Sequence, residues 1–248
     1  MRAALRWVGL LLVAALALQL FFLCRIALMA AVDPQSTTFQ RSEAWRVASQ
    51  TGRLRWRQQW VPYDRIADNL KRAVIASEDG SFTNHEGVDW EAMEKAWQRN
   101  AKAEEQAARR AQPAQRPIAR PATRPPKVVG GSTITQQLAK NLLLSGERTL
   151  LRKGQEIVLT FALEKVLDKQ RILEIYLNSV EWGEGVFGAE AAAQHYFGKP
   201  AARLSAYEAA RLAVMLPRPR YFEKLPQSGY LASRAATIVA RMGDAALP

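Results

Sequence analysis

Cysteine and histidine are scarce in this chain of 248 residues, which has one cysteine and two histidines. A single cysteine excludes a disulfide within the chain, and no cysteine–histidine cluster supports a structural zinc site. The lone thiol, Cys24, lies in an apolar stretch, and the only histidines are His85 and His195. The sequence therefore disfavours thiol catalysis and histidine-based triads.

Acidic residues are also in deficit, since 23 Asp and Glu face 35 Lys and Arg and leave a net charge of +12. Such an excess indicates a polyanionic partner: nucleic acid, an anionic membrane surface or a phosphorylated substrate. Residues 101–127 alone contribute +5 of this charge, and no recognised nucleic-acid-binding motif is present. We therefore expect no nucleic-acid partner.

Long runs of alternating β-branched residues are missing as well, which favours a mainly α fold. Hydrophobic residues make up 48% and charged residues 23% of the chain, so it is neither disordered overall nor fibrous. Its length suffices for one domain with a sizeable core, or for two small ones at most.

An uncharged stretch of 18 residues, Trp7 to Cys24, nearly spans a bilayer core, and residues 26–32 extend it past Arg25. Arg2 and Arg6 precede it, which predicts a cytoplasmic N-terminus. The alternative is a cleaved signal peptide, but the run is long for one and no clean small-x-small site follows. We predict an uncleaved transmembrane anchor over residues 1–32.

The rest of the chain is predicted to form a juxtamembrane segment over residues 33–60 and one domain over residues 61–248. Apolar spacing and cap signals predict helices at 62–77, 89–110, 133–144, 149–177, 188–197, 207–215 and 233–243. Residues 101–127 interrupt this pattern with five prolines, five arginines and two lysines against two glutamates. Because no apolar periodicity survives there, we expect a basic, mobile tether inserted into the domain.

The first candidate for chemistry is the segment Glu78 to Gly87, which follows an amphipathic helix. A glutamate at a helix end beside apolar packing can have a raised pKa and serve as an acid or base. The alternative is a solvated helix end, with Asp79 and His85 bonding loop amides.

The second candidate runs from Gly130 to Asn141, where two glycines lead into a helix. Free amides at a helix start favour anions, and Gln137 and Lys140 share a helix face. The alternative is an ordinary helix capped by Thr133 and Gln136.

Two further segments are ambiguous. Arg148, Arg152 and Lys153 could cradle a diphosphate near Lys140, although Arg152 and Glu156 could equally be a plain surface ion pair. The glycine-rich stretch 182–188 is either a structural turn or a loop lining a substrate. Glu164 is expected to be structural.

Together these segments resemble glycosyltransferase family 51, the peptidoglycan glycosyltransferases, and most closely its monofunctional biosynthetic branch. The similarity covers roughly residues 60–220 and five motifs. These are Glu78-Asp79-x2-Phe82-x2-His85-x-Gly87; Gly130-Gly131-Ser132-Thr133-Ile134-Thr135-Gln136-Gln137-Leu138-x-Lys140-Asn141; Arg152-Lys153-x2-Glu156 through Ile172-Leu173-Glu174-x-Tyr176-Leu177-Asn178; Gly183-x-Gly185-x2-Gly188 with Tyr196-Phe197-Gly198; and Leu204-Ser205-x2-Glu208. The stretch 101–127 departs from the family, which usually joins its first two motifs with a shorter segment.

The resemblance implies a lysozyme-like α-helical domain that polymerises lipid II into β-1,4-linked glycan by inversion and releases undecaprenyl diphosphate. Glu78 would be the general base, and Glu156 would orient the site or a divalent metal. The expected diphosphate ligands are Lys140, Arg148, Arg152 and Lys153, and the expected donor-site lining is Ser132, Thr133, Gln136 and Gln137. The phosphoglycolipid moenomycin should inhibit at this donor site.

No tightly bound cofactor is implied, although a divalent cation, Mg or Mn, could bind near Glu156. The implied partners are lipid II, the nascent glycan strand, the membrane and proteins of cell division or wall synthesis. The implied location is the bacterial inner membrane, with a single span and a periplasmic catalytic domain.

A transpeptidase activity is not expected, because neither Ser-x-x-Lys nor Lys-Thr-Gly occurs and few residues follow the last motif. Two alternatives to the synthase remain. One is a lysozyme-like lytic transglycosylase, and the other is a non-catalytic, membrane-anchored wall-binding scaffold.

Overall fold

The structure is a computed structural model that describes residues 2–111, 131–147 and 149–248, with the backbone alone for residues 108–111. The described chain is mainly helical. Its helices are α1 (Arg2–Leu28), α2 (Thr38–Thr51), α3 (Asp68–Glu78), α4 (Trp90–Ala111), α5 (Ile134–Leu143), α6 (Leu150–Val166), α7 (Lys169–Ser179), α8 (Ala189–Phe197), α9 (Ala206–Met215), α10 (Pro219–Phe222) and α11 (Gly229–Arg241).

Helix α1 is the one described helix that is long and apolar enough to cross a membrane. Its 27 residues span about 40 Å, which exceeds the hydrocarbon core of a bilayer. Almost all its side chains are exposed, and Phe22 and Ile26 are buried where it joins the domain. Gln19 and Gln155 on α6 exchange two hydrogen bonds of 2.9 Å, so the predicted anchor packs against α6.

Two helix groups share one core. Helix α3 packs between α9 and α11, and α5 packs against α6 and α7. Apolar spacing on α3 buries Leu70, Val74 and Ile75 and thereby fixes the direction in which its last residue, Glu78, leaves the core. Capping boxes begin α5 at Thr133 and α9 at Ser205, as their Ser/Thr-x-x-Gln/Glu patterns predict.

Three short strands form the sheet: β1 (Arg57–Gln58), β2 (Glu181–Gly183) and β3 (Val186–Phe187), in the order β1-β3-β2. Strand β1 pairs in parallel with β3, with Arg57 opposite Val186, while β2 and β3 are antiparallel. The turn between β2 and β3 requires glycine at residue 185, which has φ +74° and where a Cβ would lie 2.5 Å from the Arg55 carbonyl oxygen.

The prediction of a single helix over 149–177 was wrong. The chain forms α6 and α7 with a break at Leu167 and Asp168, where Leu167 is extended and the Asp168 carboxylate accepts the Arg171 amide at 2.7 Å. An N-cap inside a continuous apolar pattern therefore starts a second helix. Helix α7 can then turn back toward α5 and α8.

Residues 101–110 were predicted both as the end of a helix and as the start of a mobile tether. The helix is confirmed and the start of the tether was wrong, because α4 continues to Ala111. Residues 101–111 are rich in Ala, Glu, Lys, Gln and Arg, all strong helix formers, and the first proline of the stretch is Pro113. The remaining part of the predicted tether, 112–127, lies outside the described residues.

Other boundaries moved less. The helix predicted at 62–77 begins at Asp68, because Ile66 is extended, and the one predicted at 233–243 begins at Gly229. The segment 33–60 contains α2 and β1, which the sequence did not reveal. Helix α2 is held on the domain because Gln40 donates to the Ser179 carbonyl and Thr38 to the Leu142 carbonyl, both at 2.9 Å.

Candidate active site

Glu78 ends α3 with its carboxyl group in a largely desolvated position. Gln137 Nε2 donates to Glu78 Oε2 at 3.0 Å. Burial raises the pKa of Glu78, and the nearby Asp79 carboxylate adds to this, while hydrogen bonds from Gln137 and Ser77 oppose it. The result is a carboxylate of increased basicity beside an open space, as an acid or base in catalysis requires.

Tyr176, which the chemistry of the sequence did not single out, orients this pair. Its hydroxyl donates to Gln137 Oε1 at 3.1 Å. Complete burial raises the pKa of Tyr176 well above its usual value, with smaller contributions from Glu78 and Asp79, so the phenol stays protonated. Because a phenol can donate only to the amide oxygen, the amide nitrogen of Gln137 must face Glu78.

Asp79 and His85 join the first candidate segment to the second. The Asp79 carboxylate accepts from His85 Nε2 at 2.9 Å and from the backbone amide of Ile134, the first residue of α5, at 3.0 Å. His85 Nδ1 accepts from the Gly87 amide at 3.0 Å, so the ring proton lies on Nε2. Asp79 and His85 therefore bond backbone amides, as the alternative to a catalytic role predicted. Through these contacts they fix α3 relative to α5.

The start of α5 is tightly packed. Thr133 and Gln136 are buried and use their side chains in the capping box. Next to them, a Cβ on Gly131 would lie 3.1 Å from Met93 Cα and 3.3 Å from Ala96 Cβ on α4. The glycine thus lets the chain pass directly against α4, while Ser132 and Lys140 remain exposed.

The cations of α6 gather around Glu156, which is only 3% exposed. Arg152 donates to one Glu156 oxygen at 2.7 Å, and Lys153 donates to the other. This is a buried carboxylate that positions two cations rather than a plain surface ion pair. Arg148, also predicted to belong to this group, lies outside the described residues.

These groups border two cavities that meet at Ser132. The large cavity, of about 520 Å³, is lined by Ser132, Gln136, Gln137, Lys140, Asn141, Arg152, Lys153, Glu156 and Glu181, among others. The small cavity, of about 310 Å³, is lined by Glu78, Asp79, Ser81, Asp89, Arg99, Ser132, Thr133 and Arg241, among others. Lys140, Arg152, Lys153, Gln136 and Gln137 thus share the large cavity, while Thr133 and Glu78 border the small one.

The residues near Glu156 do not fit a divalent metal. Both oxygens of Glu156 already accept from cations. In the part of the chain that the structure describes, no three His, Cys, Asp or Glu side chains come together as a metal-ligand set.

Glu181 is a further carboxylate of the large cavity, which sequence reasoning missed. Arg220 pairs with it through two hydrogen bonds of 2.8 and 3.1 Å. Burial raises the pKa of Glu181, while Arg220 partly opposes this. No local pattern marks this pair, because its members are 39 residues apart.

The two remaining candidate segments have clear structural contacts. Residues 182–188 form the turn of the sheet, with Trp182 fully buried and its indole donating to the Leu212 carbonyl at 3.1 Å. They line neither of the two cavities. Glu164 accepts from Thr135 at 2.6 Å and from Lys169 at 2.8 Å and so ties α6 to α5.

Comparison with known proteins identifies the family of this chain. The family model described as Transglycosylase matches residues 46–109 and 114–243. A biosynthetic peptidoglycan transglycosylase of Burkholderia orbicola is 53% identical over 233 residues, covering 94% of this chain and 86% of the relative. Proteins of the same name from Burkholderia thailandensis and Herminiimonas arsenicoxydans are 52% and 51% identical, each over 94% of this chain and over 83% and 92% of their own lengths. The chain belongs to the transglycosylase family.

Proposed function

We propose that the protein is a peptidoglycan glycosyltransferase that polymerises lipid II in cell-wall synthesis. The acceptor's 4-hydroxyl oxygen bonds to the anomeric carbon of the donor, and its proton passes to Glu78. The bond from that carbon to the diphosphate oxygen breaks, and undecaprenyl diphosphate leaves with the electron pair. Attack opposite the leaving group turns an α-linked donor into a β-1,4 linkage.

One observation carries this proposal: the Glu78 carboxyl group, whose pKa is raised, borders the small cavity and accepts a hydrogen bond from Gln137, which lines the cation-rich large cavity. A hydroxyl in the small cavity can be deprotonated by Glu78. The diphosphate in the large cavity would face Lys140, Arg152 and Lys153. The hydrogen bond between Gln137 and Glu78 connects the two cavities.

The cations stabilise the transition state because negative charge builds on the leaving diphosphate as the bond breaks. We infer that Glu156 acts through Arg152 and Lys153, which it positions by direct hydrogen bonds. Arg148 belongs to this group by motif alone. Ser132, Gln136 and Gln137 line the donor side, and Thr133 supports it through the cap of α5.

Lipid-linked substrates require the site to lie at a membrane, and α1 supplies an anchor of sufficient length. Arg2 and Arg6 at its start support a cytoplasmic N-terminus. We propose a single span in the inner membrane with the catalytic domain on the periplasmic side. The membrane, lipid II and the nascent strand are then the partners of the chain.

A lytic transglycosylase would share the lysozyme-like fold and would also need a glutamate. Its leaving group is an uncharged sugar, which does not require the cations of the large cavity. A scaffold would have no use for a buried carboxylate whose pKa is raised, since such a group lowers the free energy of unfolding at neutral pH.

Incubation of the purified chain with labelled lipid II separates the three functions. Long glycan with release of undecaprenyl diphosphate is the expected product. Shortening of a preformed glycan would instead indicate the lytic enzyme. Absence of both products, from a protein with an intact thermal transition, would leave the scaffold.

A further inference from the structure

Two arginines of the small cavity take no part in the mechanism described above. Arg99 lies on α4 one turn beyond Ala96, on the face that meets Gly131. Arg241 is the last residue of α11 and lines the same cavity, although it is far from Arg99 in the sequence. Both side chains are exposed to solvent and border the same space as Glu78.

The position of Arg241 is fixed by the domain core. Helix α11 packs on α3 and α9, and Ile238 and Met242, on either side of Arg241, are buried. The Arg72 guanidinium on α3 donates to the Ala245 carbonyl just beyond the helix. The chain around Arg241 is therefore attached to the helix that carries Glu78.

Neither arginine is there to neutralise the acidic groups of the cavity. Among the described residues, no hydrogen bond or ion pair involves the side chain of Arg99 or Arg241. The three carboxylates have other partners, since Glu78 accepts from Gln137, Asp79 from His85 and Asp89 from Ser81. Two accessible guanidinium groups at one cavity, neither with a partner among the described residues, indicate an anionic ligand.

We propose that Arg99 and Arg241 bind the diphosphate of the acceptor. This site deepens the proposed function and rests on it. An acceptor lipid II has its reacting 4-hydroxyl on one sugar and its own diphosphate on the next. With the hydroxyl at Glu78, the diphosphate extends away from the cations of the large cavity. The two arginines supply a second anion site, separate from that of the donor, which sets the direction of the acceptor.

The test isolates the acceptor from the donor. A labelled lipid II that lacks the 4-hydroxyl of its terminal sugar serves as donor only. Two acceptors carry the same disaccharide-peptide, one with a lipid diphosphate at the anomeric carbon and one with a methyl group there. The measured quantity is the ratio of kcat/KM for the diphosphate acceptor to kcat/KM for the methyl glycoside.

We expect wild-type protein to prefer the diphosphate acceptor, and Arg99→Gln or Arg241→Gln to lower that ratio about tenfold each, as loss of a charge-assisted hydrogen bond does. Arg241→Lys, which keeps the charge, should recover part of the ratio. Arg234→Gln is the matched control, because Arg234 lies on the same face of α11 two turns earlier and outside the cavity. Its ratio should equal that of wild type.

If the wild type forms labelled product, three results would overturn the acceptor site at Arg99 and Arg241 and leave the proposed function standing. They are an unchanged ratio in both variants, an equal loss in Arg234→Gln, or a rise in KM for the donor without a change for the acceptor. Absence of labelled product from wild type with either acceptor would overturn the proposed function itself, and the acceptor site with it.

Discussion

At the scale of single residues, the proposed chemistry depends on opposing effects of the surroundings on the pKa of Glu78. Burial favours its neutral form, and the hydrogen bond from Gln137 favours the carboxylate. Tyr176 holds that amide in the orientation in which it donates. A base must be ionised to accept a proton, so activity should fall as the pH falls through the pKa of Glu78, above the ordinary 4.5.

Replacement of Gln137 by leucine removes a hydrogen bond that stabilises the carboxylate. The pKa of Glu78 should then rise further, and the acidic limb of the pH profile of kcat/KM should move to higher pH. Gln98→Leu, on the exposed face of α4, serves as the control. A limb in Gln137→Leu that stays in place or moves to lower pH would contradict this account of Glu78.

The cations of the large cavity give a second prediction. Lys140→Ala and Arg148→Ala should each weaken binding of diphosphate-bearing lipid by ~1.5–3 kcal/mol, and should affect a sugar without phosphate much less. Binding of moenomycin provides a direct measurement. Lys165→Ala, an exposed position of α6 outside both cavities, is the control. Binding as tight as wild type in both variants would show that the diphosphate lies elsewhere.

The sequence predicted most residues of the candidate site because they fall in short local motifs. Glu78, Gln137 and Lys140 could be predicted as site residues in this way, both from their chemistry and from the resemblance. Tyr176 and Glu181 were missed for a physical reason. Tyr176 lies on an apolar helix face, where a tyrosine is expected to be a core residue. Glu181 can be recognised only from its hydrogen bonds with Arg220. Long-range partners of this kind have no local signature.

At the scale of helices, caps and apolar spacing predicted where most helices begin and end. They did not predict whether a long apolar pattern forms one helix or two. Helices α5, α8 and α9 begin and end close to their predicted limits, because Thr133, Gly198 and Ser205 act on their own neighbours. The break at Asp168 was hidden by apolar residues that continue on both sides of it. Helix α2 was missed because its stability comes from packing against α5 rather than from a strong apolar stripe.

The paired amides of Gln19 and Gln155 give a prediction for the contact between α1 and α6. Gln19→Leu leaves the Gln155 amide without its partner, whereas the double variant with Gln155→Leu removes both groups. The double variant should therefore lose less stability than the sum of the two single variants, by about 0.6 kcal/mol and at most roughly 1.7 kcal/mol. Thermal unfolding in detergent measures this. Additive effects of the two substitutions would mean that the pair does not hold the helices together.

At the scale of the whole molecule, charge is divided between the site and the inserted stretch. The inserted stretch 101–127 has seven cations, and four of them lie in 112–127: Arg116, Arg120, Arg124 and Lys127. Because four cations within 16 residues favour an anionic surface, we propose that they act at the membrane surface rather than in catalysis. Basic residues near an anionic leaflet contribute ~1 kcal/mol each to binding.

Replacement of 112–127 by a short Gly-Ser linker tests this proposal and leaves α4 intact. Rates with lipid II should be near normal in neutral detergent and reduced, or accompanied by a changed glycan length, on anionic vesicles. A linker that replaces 101–127, and so removes the last turns of α4, is the comparison variant. A 112–127 variant that is inactive in detergent with an unchanged melting temperature would mean that the stretch forms part of the active site.

The central claim is that Glu78 accepts the proton of the acceptor hydroxyl, and Glu78→Gln tests it most directly. Because the folded-state pKa of Glu78 is raised, its stabilising contribution is complete at low pH and lost as the pH rises through that pKa. At pH 7 the variant should therefore melt no lower than wild type. Its turnover of labelled lipid II should fall by ~10²–10⁴. Turnover within about threefold of wild type, with the fold intact, would remove Glu78 from the role of base and contradict the account.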